Sequence, residues 1–466
     1  MPLLRWNHNE YRGELVKKND PRRMAWEILA RVEEGMFSDI ALDAALNSAS
    51  QLEDRDRALL TELVYGVLRY CGRIDFALSH CCSQPLYKVE PAVLRLLRLG
   101  CYQILLLDRI PVRAAVHETV ELAKHLGLSR ATGFINGILR GIDRRRESIP
   151  WPDSEKAPLA YLQHVLSLPK WLAKTWLKEF GPAEALALGE AMLQVAPFTV
   201  RVNSLQQDRE EFLATLTAAG YRAAATAYAP EGVVVEGGGS RRLPGDDRGA
   251  YQLQDQASML IAHLLAPQPG ERLLDACSAP GGKTTHLAAL ADNQAEIVAL
   301  DISAPRLTLV EQGARRLGAQ GISCKAWDLT FAPDFLEKES FDAILVDAPC
   351  SGLGTLRRNP ESRWRREPED LATNAERQLA ILNQVAPLLR VGGRLLYSLC
   401  TFTQEETEGV VQRFLAAHPE FERIDLRSQV PDAWQELFDE HGALRTMPHR
   451  HGGMDAFFAV GFCRQA

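Results

Sequence analysis

Apolar residues in the first third of the chain recur at helical spacing. Met24, Ile28, Leu29 and Val32 share one face, and Leu59, Leu60, Leu63, Val64, Val67 and Leu68 form a second stripe after a charged EDRDR turn. The run from Val93 to Leu107 is apolar nearly all round, as expected of a central buried helix. Val116, Val120 and Ala123, then Phe134, Ile135, Ile138 and Leu139, continue the pattern. The breakers Gly35, Pro85, Pro91 and Pro111 lie between the stripes. The pattern predicts a bundle of about six helices over residues 20–148.

A proline-rich stretch at 150–158 reads as a linker, and residues 159–190 are again helical in pattern. The period then changes. Phe198–Ser204 and Val233–Val235 read as strands, Asp208–Gly220 as a capped helix, and the loop after Val235 is glycine-rich. From Ala257 onward strands and helices alternate. Strands are predicted at Arg272–Ala276, Glu296–Asp301, Ile322–Asp328, Asp342–Asp347 and Gly393–Cys400. Helices are predicted at Lys283–Ala291, Pro305–Leu317 and Asp370–Leu389. Apolar strands of this kind form a mostly parallel sheet covered on both faces. The chain is therefore multidomain: an all-α bundle over 1–150, a linker and small α/β subdomain over 151–255, and an α/β Rossmann-like domain over 256–466.

Ligands in such sheets bind at the carboxyl ends of the strands. That rule selects Asp275 to Lys283, Asp301, Asp328, Asp347 to Cys350, and Cys400. Leu273–Thr285 is a strand–loop–helix turn that offers backbone N–H groups and a helix N-terminus to a small polar ligand. It ends in Gly282-Lys283-Thr284, but Cys277 stands where a phosphate-binding loop has its first glycine, and there is no G-x-G-x-x-G. Asp301 is placed to accept from a ribose diol and Asp328 to reach an adenine edge. A nucleoside without pyrophosphate fits. An acidic rim suits a sulfonium, which makes S-adenosylmethionine the leading candidate.

The charge of −7 argues against indiscriminate nucleic-acid affinity, but it is uneven: residues 1–150 carry 22 Lys+Arg against 19 Asp+Glu. A mildly basic front end allows local phosphate contact through Arg22, Arg23, Arg140 and Arg144–Arg146. Simple solvation explains the same residues. The nine cysteines form no CxxC pair, so no metal site is expected. The opening segment has no apolar core of a secretory signal, which gives a cytoplasmic expectation.

Two cysteines flank the selected rim, in Asp347-Ala348-Pro349-Cys350-Ser351-Gly352 and Tyr397-Ser398-Leu399-Cys400-Thr401. Methylation of a pyrimidine at carbon 5 requires a thiolate. Addition at carbon 6 makes carbon 5 enamine-like, and a base must later remove the carbon 5 proton. A carboxylate such as Asp347 stabilises charge at the ring nitrogen. A buried structural thiol is the alternative for either cysteine alone.

LLDACSAPGGKTT, VDAPCSGLGTLRRNPE and YSLCTFTQEETEGVV resemble the cofactor loop and the two cysteine motifs of the RNA cytosine-5 methyltransferases of the NOL/NOP/Sun group. The helical front end resembles the NusB fold. The resemblance covers nearly the whole chain. It implies a class I methyltransferase domain with Cys400 as nucleophile and Cys350 assisting release, the reverse of what DNA cytosine methyltransferases suggest. It implies that Cys277, Ser278, Ala279, Pro280, Gly281, Gly282, Lys283, Asp301, Asp328 and Asp347 serve the cofactor S-adenosylmethionine. It further implies that Arg201 and Asn203 face RNA. The substrate implied is 16S ribosomal RNA, bound by a monomer with no membrane or metal partner. Arg357 and Arg358, with the stretch Arg363 to Arg366, are candidate grips on the RNA strand. Ser278 and Ala456 depart from the family pattern, which has alanine and glycine there. Another RNA target, a non-catalytic assembly factor and a nucleotide hydrolase are the competing readings.

Overall fold

The computed structural model describes residues 20–49, 51–237 and 242–466. The opening segment read for a secretory signal lies outside the described residues, as does part of the glycine-rich loop after Val235. The chain divides into two compact units: residues up to Pro182 with Asn359–Glu361, and Ala183–Arg358 with Ser362–Ala466.

The first unit is helical: α1 (Pro21–Glu33), α2 (Ser38–Ser48), α3 (Asp54–Arg69), α4 (Cys71–Ser79), α5 (Pro91–Leu106), α6 (Val112–His125), α7 (Thr132–Arg145) and α8 (Pro158–His164). The Asp20 carboxylate caps α1, accepting from the Arg22 N–H at 2.9 Å, with Pro21 in the first turn where its missing N–H costs nothing. α5 is the buried centre, with Leu96, Leu97, Cys101 and Tyr102 at most 2% exposed. Its two sides pack on α1, α3, α4, α6 and α7. Arg140 and Arg144–Arg146, at the end of α7, are exposed. The helix α9 (Lys170–Ala191) bends at Gly181, whose φ is +74° and which precedes Pro182, where the chain passes into the second unit.

The second unit holds two sheets. In the smaller, β1 (Thr199–Val202), β2 (Ala223–Ala225), β3 (Gly232–Val235) and β4 (Tyr251–Leu253) form an antiparallel sheet in the order β2-β3-β1-β4. α10 (Arg209–Ala218) packs on it, started by a capping box between Asp208 and Glu211. The larger sheet is preceded by α11 (Gln256–Leu265). Its strands are β5 (Arg272–Asp275), β6 (Glu296–Asp301), β7 (Ile322–Ala326), β8 (Phe341–Asp347), β9 (Leu389–Leu399), β10 (Phe421–Ile424), β11 (Leu444–Arg445) and β12 (Phe458–Arg464), in the order β10-β12-β9-β8-β5-β6-β7 with β11 on β12.

β5 to β9 are parallel, and alternate residues enter different cores. Leu273, Ile297, Ala343 and Leu345 face α11 and α12 (Gly282–Leu290). Leu274, Val298, Ile344 and Val346 face α15 (Pro368–Val385) and α16 (Glu408–Ala417). β5, β6 and β8 are buried on both sides, which is why they read as unbroken apolar runs, whereas β7 at the sheet edge is largely exposed. Of the remaining helices, α13 (Ala304–Leu317) links β6 to β7, and the short α14 (Ser362–Arg365) precedes α15.

Two features differ from expectation. β12 inserts antiparallel between β9 and β10. β7 stops at Ala326, so Asp328 lies in the turn beyond, where its carboxylate accepts from the Thr330 N–H and hydroxyl at 2.9 and 2.7 Å. Among the described residues no helix is long and apolar enough to cross a membrane.

Candidate active site

β5 has β6 on one side and β8 on the other, so strand order reverses there and a crevice opens at the carboxyl ends. A cleft of about 370 Å³ lies at this point. Its floor is the turn after β5. Gly281 begins α12 with φ +102°, and a Cβ there would come within 2.9 Å of the Val310 backbone, so only glycine closes this turn. The Ser278 N–H donates to Leu300 O at 2.8 Å, the Ala279 N–H to Asp301 Oδ2 at 3.2 Å, and the Thr284 hydroxyl to Asp275 Oδ2 at 2.7 Å. Cys277 and Ala279 border the cleft. Burial and the nearby carboxylates push the Cys277 thiol well up, which suits a neutral loop residue and not a nucleophile.

The walls match a nucleoside. Asp301, which also accepts from the Ser303 N–H at 2.9 Å, and Asp328 present carboxylates, while Ile302, Leu329 and Ile381 present apolar surface. Few precisely placed polar groups in a mostly apolar cleft are what small ligands need. The residues present fit S-adenosylmethionine: Asp301 for the ribose diol, Asp328 for the base edge, and an acidic rim for the sulfonium.

β8 and β9 deliver the second half of the site. The Asp347 carboxylate accepts from Lys283 Nζ at 2.7 Å and from the Ser398 hydroxyl at 2.8 Å. Burial opposes the Lys283 charge, but Asp347, with smaller help from Cys400 and Asp275, outweighs it and raises the Lys283 pKa. Lys283 thus stays an ammonium, tying the loop to the opposite strand end. The sulfurs of Cys350 and Cys400 are 3.3 Å apart. The hydrogen bond with Cys400, then burial, pushes the Cys350 thiol well up, so it is protonated at neutral pH.

A buried network that the sequence reading did not single out holds the two cysteine loops. The fully buried Glu406 accepts from the Ser351 N–H at 2.8 Å, the Thr403 hydroxyl at 2.9 Å and the Gln378 amide at 3.1 Å. Gln378 also donates to Pro349 O, and Tyr397 donates to Gln378 and to Glu406 O. The Ser351 and Thr401 hydroxyls bond at 2.9 Å. Gly354 N–H donates to Cys400 O at 2.9 Å, and a Cβ on Gly354 would fall 2.0 Å from Ala456 O. Ala456 contributes its backbone at this contact, which its methyl does not disturb. The only sequence signal for the network was a polar TFTQEE run in a buried setting.

Of the four residues expected to face RNA, Arg201, Asn203 and Arg357 are buried and Arg358 is a third exposed. Arg201 is 2% exposed, and its guanidinium donates to Gln254 Oε1 at 2.6 Å, Gly282 O at 2.5 Å and Thr285 Oγ1 at 3.0 Å. Burial lowers its pKa to about 10. Asn203, also buried, donates to Gly249 O and Leu317 O. Arg357 is 4% exposed and bonds Asp455 at 2.8 Å and Gly453 O at 2.6 Å. Arg358 spans Asp455 and Asp255 at 2.5 and 2.7 Å. Arg363 is fully buried, and Arg366 donates to Ser351 O at 2.9 Å. These arginines brace the protein from within.

A family model described as 16S rRNA methyltransferase RsmB/F matches residues 262–463, one for the NusB family matches 19–144, and one for the RsmF/B-like ferredoxin-like domain matches 168–240. A Bacillus subtilis (strain 168) protein named probable ribosomal RNA small subunit methyltransferase B is 38% identical over 95% of this chain and 98% of its own length. A Pseudomonas putida protein named ribosomal RNA small subunit methyltransferase B is 36% identical over 94% and 97%. A solved structure named PH0851 is similar with a TM-score of 0.81 and 25% identity, covering 97% of this chain and all of that one.

Proposed function

The chain belongs to the RsmB/F family of 16S rRNA methyltransferases, and from that premise we propose that it methylates carbon 5 of one cytosine in 16S ribosomal RNA through a covalent Cys400–carbon 6 adduct. The observation that carries this reading is the pair of thiols at 3.3 Å beside the Asp347–Lys283 ion pair, on the rim of a nucleoside-sized cleft.

S-adenosylmethionine, when bound, supplies the electrophilic methyl group. The target base must leave its stack to reach the rim. The Cys400 thiolate adds to carbon 6, with the Lys283 ammonium held close by on Asp347. Asp347 stabilises the positive charge that a proton on the ring nitrogen brings. The electron pair pushed to carbon 5 would take the methyl group as the donor's methyl–sulfur bond breaks, that bond's electrons leaving on the sulfur as a neutral thioether. A base then takes the carbon 5 proton, and the carbon 6–sulfur bond breaks to restore the aromatic ring and the thiolate. Cys350 acts at this release step, because its protonated thiol lies beside the Cys400 sulfur and hydrogen-bonds that sulfur as it departs. The basic end of α7, with Arg140, Arg144 and Arg146 exposed, serves as a phosphate contact.

The test uses labelled methyl donor and 16S transcripts. Cys400→Ala abolishes transfer, and Cys350→Ala accumulates a protein–RNA adduct that survives a denaturing gel. Full activity in the first variant, or no adduct in the second, overturns the corresponding role. Bisulfite sequencing of ribosomal and transfer RNA from cells with and without the protein then identifies the RNA and its cytosine.

A further inference from the structure

Glu231, His263 and His286 meet away from the cleft, each from a different element: the turn before β3, the end of α11 and the middle of α12. His263 Nε2 lies 2.9 and 3.2 Å from the two Glu231 oxygens. His286 Nε2 lies 2.8 Å from Oε1 of the same carboxylate. His286 is 1% exposed and pairs with that carboxylate through Nε2, while no hydrogen bond reaches its Nδ1. The pairing leaves one buried imidazole nitrogen unsatisfied, which folded proteins rarely accept.

We propose that these three side chains form a structural site for a divalent transition-metal ion of the zinc class. Their ligand atoms all lie within 4.8 Å of one another. A tetrahedral zinc with bonds of about 2.1 Å separates its ligands by roughly 3.4 Å, so the set closes on an ion with small rotations. Two imidazoles and a carboxylate are donors that zinc accepts, and a water completes four-coordination. The rings are already set. The His263 and His286 planes are perpendicular with centroids 5.2 Å apart, and Trp434 packs edge-on against His263. An ion here staples the small sheet to the two helices that flank β5. His286 lies one turn beyond Lys283, so ligation also steadies the helix that opens at the cofactor loop. The sequence hid the site because its ligands stand 32 and 23 residues apart, with none of the short spacings that mark zinc motifs.

The test takes full-length, untagged, metal-stripped protein and titrates it with zinc chloride, reading stoichiometry by elemental analysis after gel filtration and stability by thermal melting. One ion per chain with a raised Tm is expected. Glu231→Gln and His263→Gln each lose the ion while keeping the metal-free circular dichroism spectrum. His263 is the more exposed histidine, so its variant decides if the others fail to fold. A Cys350→Ser/Cys400→Ser protein keeps the ion, which separates this site from zinc on the active-site thiols. The proposal falls if wild-type protein takes up no stoichiometric zinc, if the ion persists in both Glu231→Gln and His263→Gln, or if it disappears with the cysteines.

Discussion

Around β8 and β9, Asp347, Cys350 and Cys400 border an open cleft. Around β1, Arg201 and Asn203 are enclosed, as is Arg357 at Asp455, while Arg358 on the same aspartate is a third exposed. Both regions hold ion pairs of the same length: Lys283–Asp347 and Arg358–Asp255 are each 2.7 Å. The difference is where the remaining hydrogen-bonding capacity points. Asp347 lines the cleft and has an oxygen edge there for a substrate. Arg201 spends its donors on Gln254, Thr285 and the carbonyl of Gly282 in the first turn of α12. A charged side chain acts on a ligand only when the fold leaves part of it unspent. Otherwise it is a brace, costly to cut and invisible to substrate.

Lys283→Met should separate the two regions most sharply. Without the ammonium, Asp347 loses its partner and the rim that carries Cys400 loses a cation. The methyl-transfer rate per folded molecule is expected to fall about 100- to 1,000-fold, the size typical of losing one electrostatic donor at a reacting centre. A loss below tenfold in single-turnover assays would remove Lys283 from the chemistry. Arg201→Met is the converse. It strands buried acceptors and is expected to destabilise the second unit by about 3 kcal/mol, seen as a lower denaturation midpoint. RNA affinity and rate per folded molecule stay as in wild type. Weakened RNA binding at unchanged stability would return Arg201 to the RNA-facing role.

The rim was legible because physics marks it twice. A strand buried on both faces is a run of apolar residues, and the first acid after that run stands at the carboxyl end. β5, β6 and β8 were readable to within a residue for this reason, ending at Asp275, Asp301 and Asp347. β12 was not, because it enters the parallel sheet antiparallel, between β9 and β10, outside the strand–helix alternation. The arginines misled because their partners are far along the chain: Arg201 bonds residues 53 to 84 positions away, and Arg358 reaches Asp455 and Asp255. A basic pair next to a catalytic motif looks the same in sequence whether its counterion is a phosphate or a buried aspartate. Glu406 was passed over for the complementary reason, since an acid in a polar run gives no sign that the fold will bury it.

Glu406→Gln tests whether that network matters to the rim it supports. One of the two oxygens that accept from Ser351, Gln378 and Thr403 becomes a donor and faces another donor. A loss of about 1–3 kcal/mol in stability is expected from the mismatch. The rate should fall roughly tenfold as the loops carrying Cys350 and Cys400 loosen, a modest figure because no reacting group is removed. An unchanged rate at lowered stability would make the network a brace like Arg201.

The smallest effect concerns Asp275, which lies behind the cofactor turn. Burial, opposed by the hydrogen bond from Thr284 and reinforced by Asp347, raises its pKa from 3.8 to about 7. Its Oδ1 has no hydrogen-bond partner. With the folded pKa above the unfolded one, the native state binds the extra proton between about pH 4 and pH 7. The stability this group contributes is therefore present in acid and lost as pH rises through 7. Asp275→Asn mimics the protonated form and keeps an acceptor for the Thr284 hydroxyl. Its Tm relative to wild type is expected to improve from pH 5 to about pH 7 and to level off above that. If the difference between the two proteins is flat across that range, the carboxyl is ionised throughout. The acidic rim would then include a fourth permanent charge, and the electrostatic match to a sulfonium would be stronger than Asp301, Asp328 and Asp347 alone provide.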